Sequence, residues 1–219
     1  MRIFVTSDTH NDYIILKKLK NFLTQNTFDY TIHCGDIGGS HSSGQTFIEF
    51  GKQQYDNFKY FKEHFPSMLF ILGNDDWFEA EDAKYIKASN REIPKNFIGF
   101  EWVNITPFNT NREANENKIA YELSKLGKDF SKSIVVAHNP PHNCLDMIHR
   151  GEAVGSKSIR KFIEQYQPKL WLCGHIHEAF GVSSIGTTGV FNCSSRPDKH
   201  QLQGWIINVE TLDYETVII

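Results

Sequence analysis

Seven side chains in this chain of 219 residues have the types and the placement to hold metal ions. They fall in five short segments, each closing a hydrophobic run: Asp8-Thr9-His10, Gly35-Asp36, Gly73-Asn74-Asp75-Asp76, Ala137-His138-Asn139-Pro140 and Gly174-His175-Ile176-His177. Together they offer the carboxylates of Asp8 and Asp36, the amide of Asn74 and the imidazoles of His10, His138, His175 and His177. Oxygen and nitrogen donors of this kind suit hard-to-borderline divalent cations, not copper(I) or iron–sulfur chemistry. Seven donors are too many for one tetrahedral zinc. They suit two ions sharing a bridging group, roughly 3.5–4 Å apart, as in two-metal hydrolases. Each segment alone has an ordinary explanation: Asp8 or Asp36 as a turn or cap residue, Asn74 as a turn with Gly73, the histidines as core or loop residues. Five such explanations would have to coincide at five strand ends.

Asp8 and His10 are two apart, as are His175 and His177, so an extended backbone would point each pair to one face. Gly35, Gly73 and Gly174 would let the chain turn sharply and approach closely. To place the donors, strands must end where the segments begin. Residues 1–6, 30–34, 67–72, 133–137 and 169–173 read as buried strands. Asp12 caps a helix with Ile15, Leu16, Leu19, Phe22 and Leu23 at helical spacing. Further helices are expected at 45–63, 79–88, 113–126 (stopped by Gly127) and 156–167. Residues 38–44 read as a flexible Gly/Ser loop, and 97–105 as one or two strands. Short β runs follow at 180–185, 189–193, 205–209 and 214–219. Strand–helix alternation followed by strands is an α/β pattern. Active sites in layered α/β structures commonly lie at the carboxyl ends of strands, where all five segments fall.

The length fits one domain, 1–219. Hydrophobic residues at 40% and charged residues at 22% are ordinary for a soluble globular protein. A net charge of −3 gives no strong nucleic-acid signal and no attraction to an anionic membrane. No apolar run approaches the ~18 residues of a membrane span. The strand at the start leaves no room for a signal peptide, so a cytoplasmic location is expected. Cys34, Cys144, Cys173 and Cys193 form no CxxC pair and read as small buried hydrophobes in a reducing compartment. Contact of Cys34 with the metal environment stays open.

The ordered segments, from Asp8 to His177, resemble the calcineurin-like metallophosphoesterase superfamily. The stretch from Gly155-Ser156 through Pro168-Lys169-Leu170 to Cys173-Gly174-His175-Ile176-His177-Glu178 resembles its small single-domain phosphodiesterase-like branch. The resemblance implies an α/β fold, a four-layer αββα sandwich of two mixed β-sheets flanked by helices. It implies two divalent metal ions, with manganese first and iron, zinc, nickel or cobalt as alternatives. Asp8, His10 and His177 would hold one ion, Asn74, His138 and His175 the other, and Asp36 would bridge them. A bridging hydroxide would attack the phosphorus of a small phosphoester substrate, a nucleotide-like diester above all. Two other readings stay open. One is a non-catalytic scaffold that binds a protein. The other is a pyrophosphatase of a nucleotide-linked lipid precursor, for which no hydrophobic helical insertion is present.

One position departs from the pattern. Relatives often carry His directly after the motif asparagine, where it helps protonate the leaving group or bind phosphate; here it is Asp75. An aspartate near two cations is expected to be ionised and unable to donate a proton. It would disfavour a dianionic monoester, which predicts a diesterase with a preference for good leaving groups. His142 is a substitute acid or an exposed loop residue. Asp12 orients His10, caps its helix, or does both. Arg196 reaches phosphate or sits at the surface, and His41 with its Gly/Ser loop is a lid or a solvated loop. Trp77 and Phe78 stack on a substrate or pack in the core. Lys17, Lys18 and Lys20 read as the solvated face of a helix.

Overall fold

The alternation of side chains along the buried strands decides how the layers stack, because successive residues face opposite sides of a sheet. In the computed structural model, which describes residues 1–82, 84–86, 93–127 and 130–219, that alternation builds four layers. The elements in chain order are β1 (Arg2–Thr6), α1 (Tyr13–Gln25), β2 (Tyr30–His33), α2 (Phe47–His64), β3 (Leu69–Phe70), β4 (Phe97–Phe100), β5 (Val103–Asn104) and β6 (Glu113–Ala114). Then follow α3 (Glu116–Ser124), β7 (Ile134–Ala137), α4 (Lys157–Tyr166), β8 (Leu170–Cys173), β9 (Gly181–Ile185), β10 (Thr188–Asn192), β11 (Gln203–Asn208) and β12 (Tyr214–Ile218).

One five-stranded sheet runs β12-β11-β1-β2-β3, the other β4-β7-β8-β10-β9. Strands β1, β2 and β3 are mutually parallel, as are β4, β7, β8 and β10; β9, β11 and β12 are antiparallel to their neighbours. Ile3 and Val5 of β1 meet Ile134 and Val136 of β7 and Leu170 and Leu172 of β8 in the layer between the sheets. Phe4 points the other way, to Ile15, Leu16 and Leu19 of α1 and Phe58 and Phe61 of α2. Val135 and Trp171 likewise face Ile119 of α3 and Ile159 and Ile163 of α4. The result is the expected αββα sandwich of two mixed sheets.

The caps follow the sequence. Asp12 accepts from the Ile15 amide at the start of α1, and Thr46 with Glu49 forms a capping box at the start of α2. Two helix expectations change. Residues 113–126 are not one helix: Glu113 and Ala114 pair with β5, Asn115 caps α3, and the helix runs only to Ser124. Glu113 is held back by accepting from Thr106 and Thr110. In 79–88, the described residues make no helix. The Phe70 amide donates to the Lys84 carbonyl and the Ile86 amide to the Phe70 carbonyl, so residues 84–86 lie along β3. Burial of Tyr85 and Ile86 and a 2.5 Å bond from Tyr85 Oη to Glu101 hold them there. Positions 83, 87 and 88 lie outside the described residues. The strand expected at 67–72 is reduced to Leu69–Phe70.

Among the described residues no helix is long and apolar enough to cross a membrane.

Candidate metal centre

All five segments lie just beyond the carboxyl ends of parallel strands: β1, β2 and β3 in one sheet, β7 and β8 in the other. Their loops are stitched together by the backbone. The Asp8 amide donates to the Gly35 carbonyl at 3.0 Å and the His10 amide to the Asp36 carbonyl at 3.0 Å. Within the second sheet the Gly174 amide donates to the His138 carbonyl at 3.0 Å, and across the sandwich the His175 amide donates to Asp8 Oδ2 at 3.0 Å.

The expectation of extended pairs is overturned. Asp8 (φ 58°), His10 (φ 42°), Asn11 (φ 52°), Asp36 (φ 56°) and His175 (φ 71°) are left-handed, and His177 opens a 3₁₀ turn. Asp, Asn and His tolerate this region better than most residues. It still costs about 1–3 kcal/mol each, and such strain concentrates at functional sites. The donors converge because the backbone curls, not because it is straight. Glycine is required at 174 by contact: a Cβ there would collide with Ser7 Oγ and Asp8 Oδ2. Gly73 is confined in the same way by the Asp36 carboxylate.

Three groups of donors result, two built from the expected side chains and a third from His10, Asp36 and Asp75. In the first, Asp8, His10 and His177 bring donor atoms within 4.8 Å of one another. His177 Nε2 lies 3.3 Å from Asp8 Oδ1 and 3.3 Å from His10 Nε2. In the second, Asp36, His138 and His175 converge within the same limit. His138 Nδ1 donates to the Cys34 carbonyl at 2.8 Å, which turns Nε2 toward Asn74 Oδ1 (3.1 Å) and Asp36 Oδ2 (3.3 Å). The Asn74 Nδ2 amide donates to Thr110 Oγ1 at 2.8 Å, so its oxygen is the atom left facing His138. Asp36 Oδ2 also lies 3.6 Å from His10 Nε2, which places this carboxylate between the two sets. All seven expected side chains are therefore brought together. Imidazole nitrogens facing each other and two buried carboxylates make a donor set of the kind that suits divalent cations.

The charges of these groups act on one another. Burial would raise the Asp8 carboxyl, but the His177 hydrogen bond and the charges of His177, His138 and His10 hold it well below the usual range. Burial opposes the shift of Asp36 too, and His138 and His10 outweigh it, so Asp36 is also held low. His138, against its burial, is pushed up to about 10 by Asp36. Burial and the His138 charge bring His175 down to about 4.

Asp75 stands beside this centre. Its amide donates to Asp36 Oδ1 at 2.8 Å and its Oδ2 accepts from Ser40 Oγ at 2.6 Å. Burial and the Asp36 charge push its carboxyl up, so the protein's own field works against the lowered value expected near cations. His142 joins none of the donor groups among the described residues. Its Nδ1 lies 3.6 Å from Asp146 Oδ2, with the side chain partly exposed.

Other expectations resolve by contact. Asp12 does not reach toward His10: Oδ1 caps α1 and Oδ2 takes His200 Nδ1 at 2.5 Å. Arg196 is paired twice, at 2.8 Å each, with Asp198. Cys34 touches the centre through its carbonyl, not its thiol, and all four cysteines are buried and free. The first part of the Gly/Ser loop is fixed, with Gln54 Nε2 donating to the Gly39 carbonyl at 2.6 Å. His41 packs on Phe47 and Phe50. Phe78 stacks on Phe58 at 4.4 Å in the core, whereas Trp77 is 39% exposed. Lys18 is tied down, donating to the carbonyls of His200 and Ile219.

Sequence reasoning missed two supports. Asp76 is fully buried and accepts from the amides of Asp36 (2.9 Å), Gly38 (2.7 Å) and Gly73 (2.8 Å), pinning two of the five loops together. Burial and Asp36 push its carboxyl up to about 7. A second acid right after Asp75 was the signal. Thr110 lies 36 residues from Asn74, and no local pattern announces it.

The model of the calcineurin-like phosphoesterase family matches residues 1–179. An uncharacterized protein of Methanocaldococcus jannaschii is 32% identical over 209 residues, 90% of this chain and 89% of its own length. A longer UPF0046 protein of Caenorhabditis elegans is 24% identical, over 85% of this chain and 46% of its own length. A crystal structure of a Thermus thermophilus protein superposes with a TM-score of 0.65 at 15% identity, covering 99% of this chain and 97% of that one, which shows a shared fold.

Proposed function

The chain belongs to the calcineurin-like phosphoesterase family, and from that premise we propose that it hydrolyses phosphoester bonds at a two-metal centre, favouring diesters. The observation that carries the reading is the convergence of two His/Asp groups on either side of Asp36. Asp8, His10 and His177 would hold one ion, Asn74, His138 and His175 the other, with Asp36 serving both. When bound, two divalent cations supply Lewis acidity toward phosphoryl oxygens and make a water nucleophilic near neutral pH.

The chain's own groups do the rest. Thr110 keeps the Asn74 oxygen, not its nitrogen, turned inward. The Cys34 carbonyl fixes His138 with Nε2 toward Asp36. Asp76 keeps the loops after β2 and β3 in register, so the carboxylate between the sets does not drift. Two divalent cations would bring four positive charges against the carboxylates of Asp8 and Asp36 and one hydroxide, leaving about one positive charge for substrate. That surplus matches a monoanionic diester better than a dianionic monoester. Small nucleotide-like diesters are the substrate class proposed, manganese the first metal to try, and His142 the side chain proposed to protonate a poor leaving group.

The test is hydrolysis of bis-p-nitrophenyl phosphate beside p-nitrophenyl phosphate, after chelation and addition of manganese. The diester is expected to turn over faster. Faster monoester turnover removes the diester preference. No turnover with any divalent ion, despite bound metal, favours a non-catalytic scaffold.

A further inference from the structure

We propose that Asp75 is the positioning residue for His10, holding that imidazole with Nε2 turned into the first donor set. The two ring nitrogens of His10 face different ways. Nε2 looks inward, 3.3 Å from His177 Nε2, 3.6 Å from Asp36 Oδ2 and 4.0 Å from Asp8 Oδ1. Nδ1 looks outward, is buried, and makes no hydrogen bond. Facing it is Asp75 Oδ2 at 3.6 Å, within ion-pair reach and a few tenths of an ångström beyond a hydrogen bond. A buried ring nitrogen without a partner is costly, and a carboxylate that close is what satisfies it.

Asp75 is built to stay there. Its amide is bonded to Asp36 Oδ1, its carbonyl accepts from Gln54 Nε2 at 3.0 Å, and Ser40 Oγ donates to the same Oδ2 that faces His10. The other group the sequence suggested for this task, Asp12, is taken by the start of α1 and by His200. His138 has the parallel arrangement, with the Cys34 carbonyl on its Nδ1. Histidines that bind metal regularly donate their second N–H to a carboxylate or carbonyl, which fixes tautomer and ring orientation. Asp75 thus gives His10 what Cys34 gives His138, and it links the loop at Ser40 to the donor set. The inference rests on the two-metal reading for its consequence, not for its geometry.

Two readouts test it on the full-length chain. The first is ¹⁵N NMR of the histidine rings in chelator-treated protein at alkaline pH. Wild type is expected to show His10 with the proton on Nδ1. Asp75→Asn, which keeps an acceptor oxygen, should retain that tautomer, and Asp75→Ala should lose it. A wild-type His10 protonated on Nε2 overturns the proposal with no variant needed, as does an unchanged tautomer in Asp75→Ala. The second is manganese calorimetry. Asp75→Ala should weaken one of the two ions about 10–100-fold, with Asp75→Asn close to wild type. Unchanged binding in Asp75→Ala contradicts the proposal. Failure of wild type to bind manganese or any other divalent ion would sink the two-metal reading instead, while the tautomer result still decides the role of Asp75.

Discussion

The two halves of the centre are held by different means. Around His138 everything is fixed from behind: the ring is fully buried, its Nδ1 is bonded to a backbone carbonyl, and the Asn74 amide is locked by Thr110. Around His10 the supports are side chains. His10 leans on Asp75 without a closed hydrogen bond, and the His177 side chain is 30% exposed on a single 3₁₀ turn. The Cys34 carbonyl holds His138 from the backbone, whereas the Asp75 carboxylate faces His10 from a side chain that Ser40 holds. One half is therefore oriented from the backbone and the other from side chains.

The largest effect should come from removing what the halves share. Asp36→Ala deletes the carboxylate that faces both His10 and His138, and manganese-dependent turnover should fall to background with loss of paired metal binding. A variant that keeps both ions and full rate would erase the distinction between halves altogether. Next in size is the proton donor proposed on the loop after β7. His142→Gln should slow a diester with a poor leaving group about 10²-fold or more, while changing bis-p-nitrophenyl phosphate little, because nitrophenolate needs no acid. Equal slowing of both substrates would mean that His142 does something else.

A smaller change probes the His138 half alone. Thr110→Val frees the Asn74 amide to flip its nitrogen inward, and should weaken one ion about 10-fold without disturbing the other. Calorimetry reads this directly, and equal weakening of both ions would show that the halves are not independent. The smallest effect should come from Arg196→Ala. Its guanidinium is already committed to Asp198, so KM for the diester should stay within about twofold, as expected of an exposed surface pair. A large rise in KM would place Arg196 on the substrate.

The layers and the donor list were legible in the sequence for one reason: both are written in short-range pattern. Ile3, Phe4 and Val5 alternate between two cores, and so do Val135 and Val136. The five strands β1, β2, β3, β7 and β8 each lead into a segment with a donor. How the donors converge was not legible. Spacing of two suggested straight backbone, but left-handed turns at Asp8, His10 and His175 do the work, and a φ value leaves little trace in residue type when Asp and His are also ligands. Thr110 and Asp76 act over distances of 36 and 40 residues, through contacts that only the packed sheets create. The segment at 79–88 looked helical because Glu, Ala and Lys favour helices, while burial of Tyr85 and Ile86 beside β3 overrides that weak preference.

The most direct test of two halves held by different means is a manganese titration of the chelator-treated protein, following bound metal and diester turnover together. Two binding steps of unequal affinity are predicted, with turnover rising only as the weaker step fills and the weaker step being the one that Asp75→Ala weakens further. A single ion per chain, two equal steps, or full turnover at the first equivalent would contradict the account.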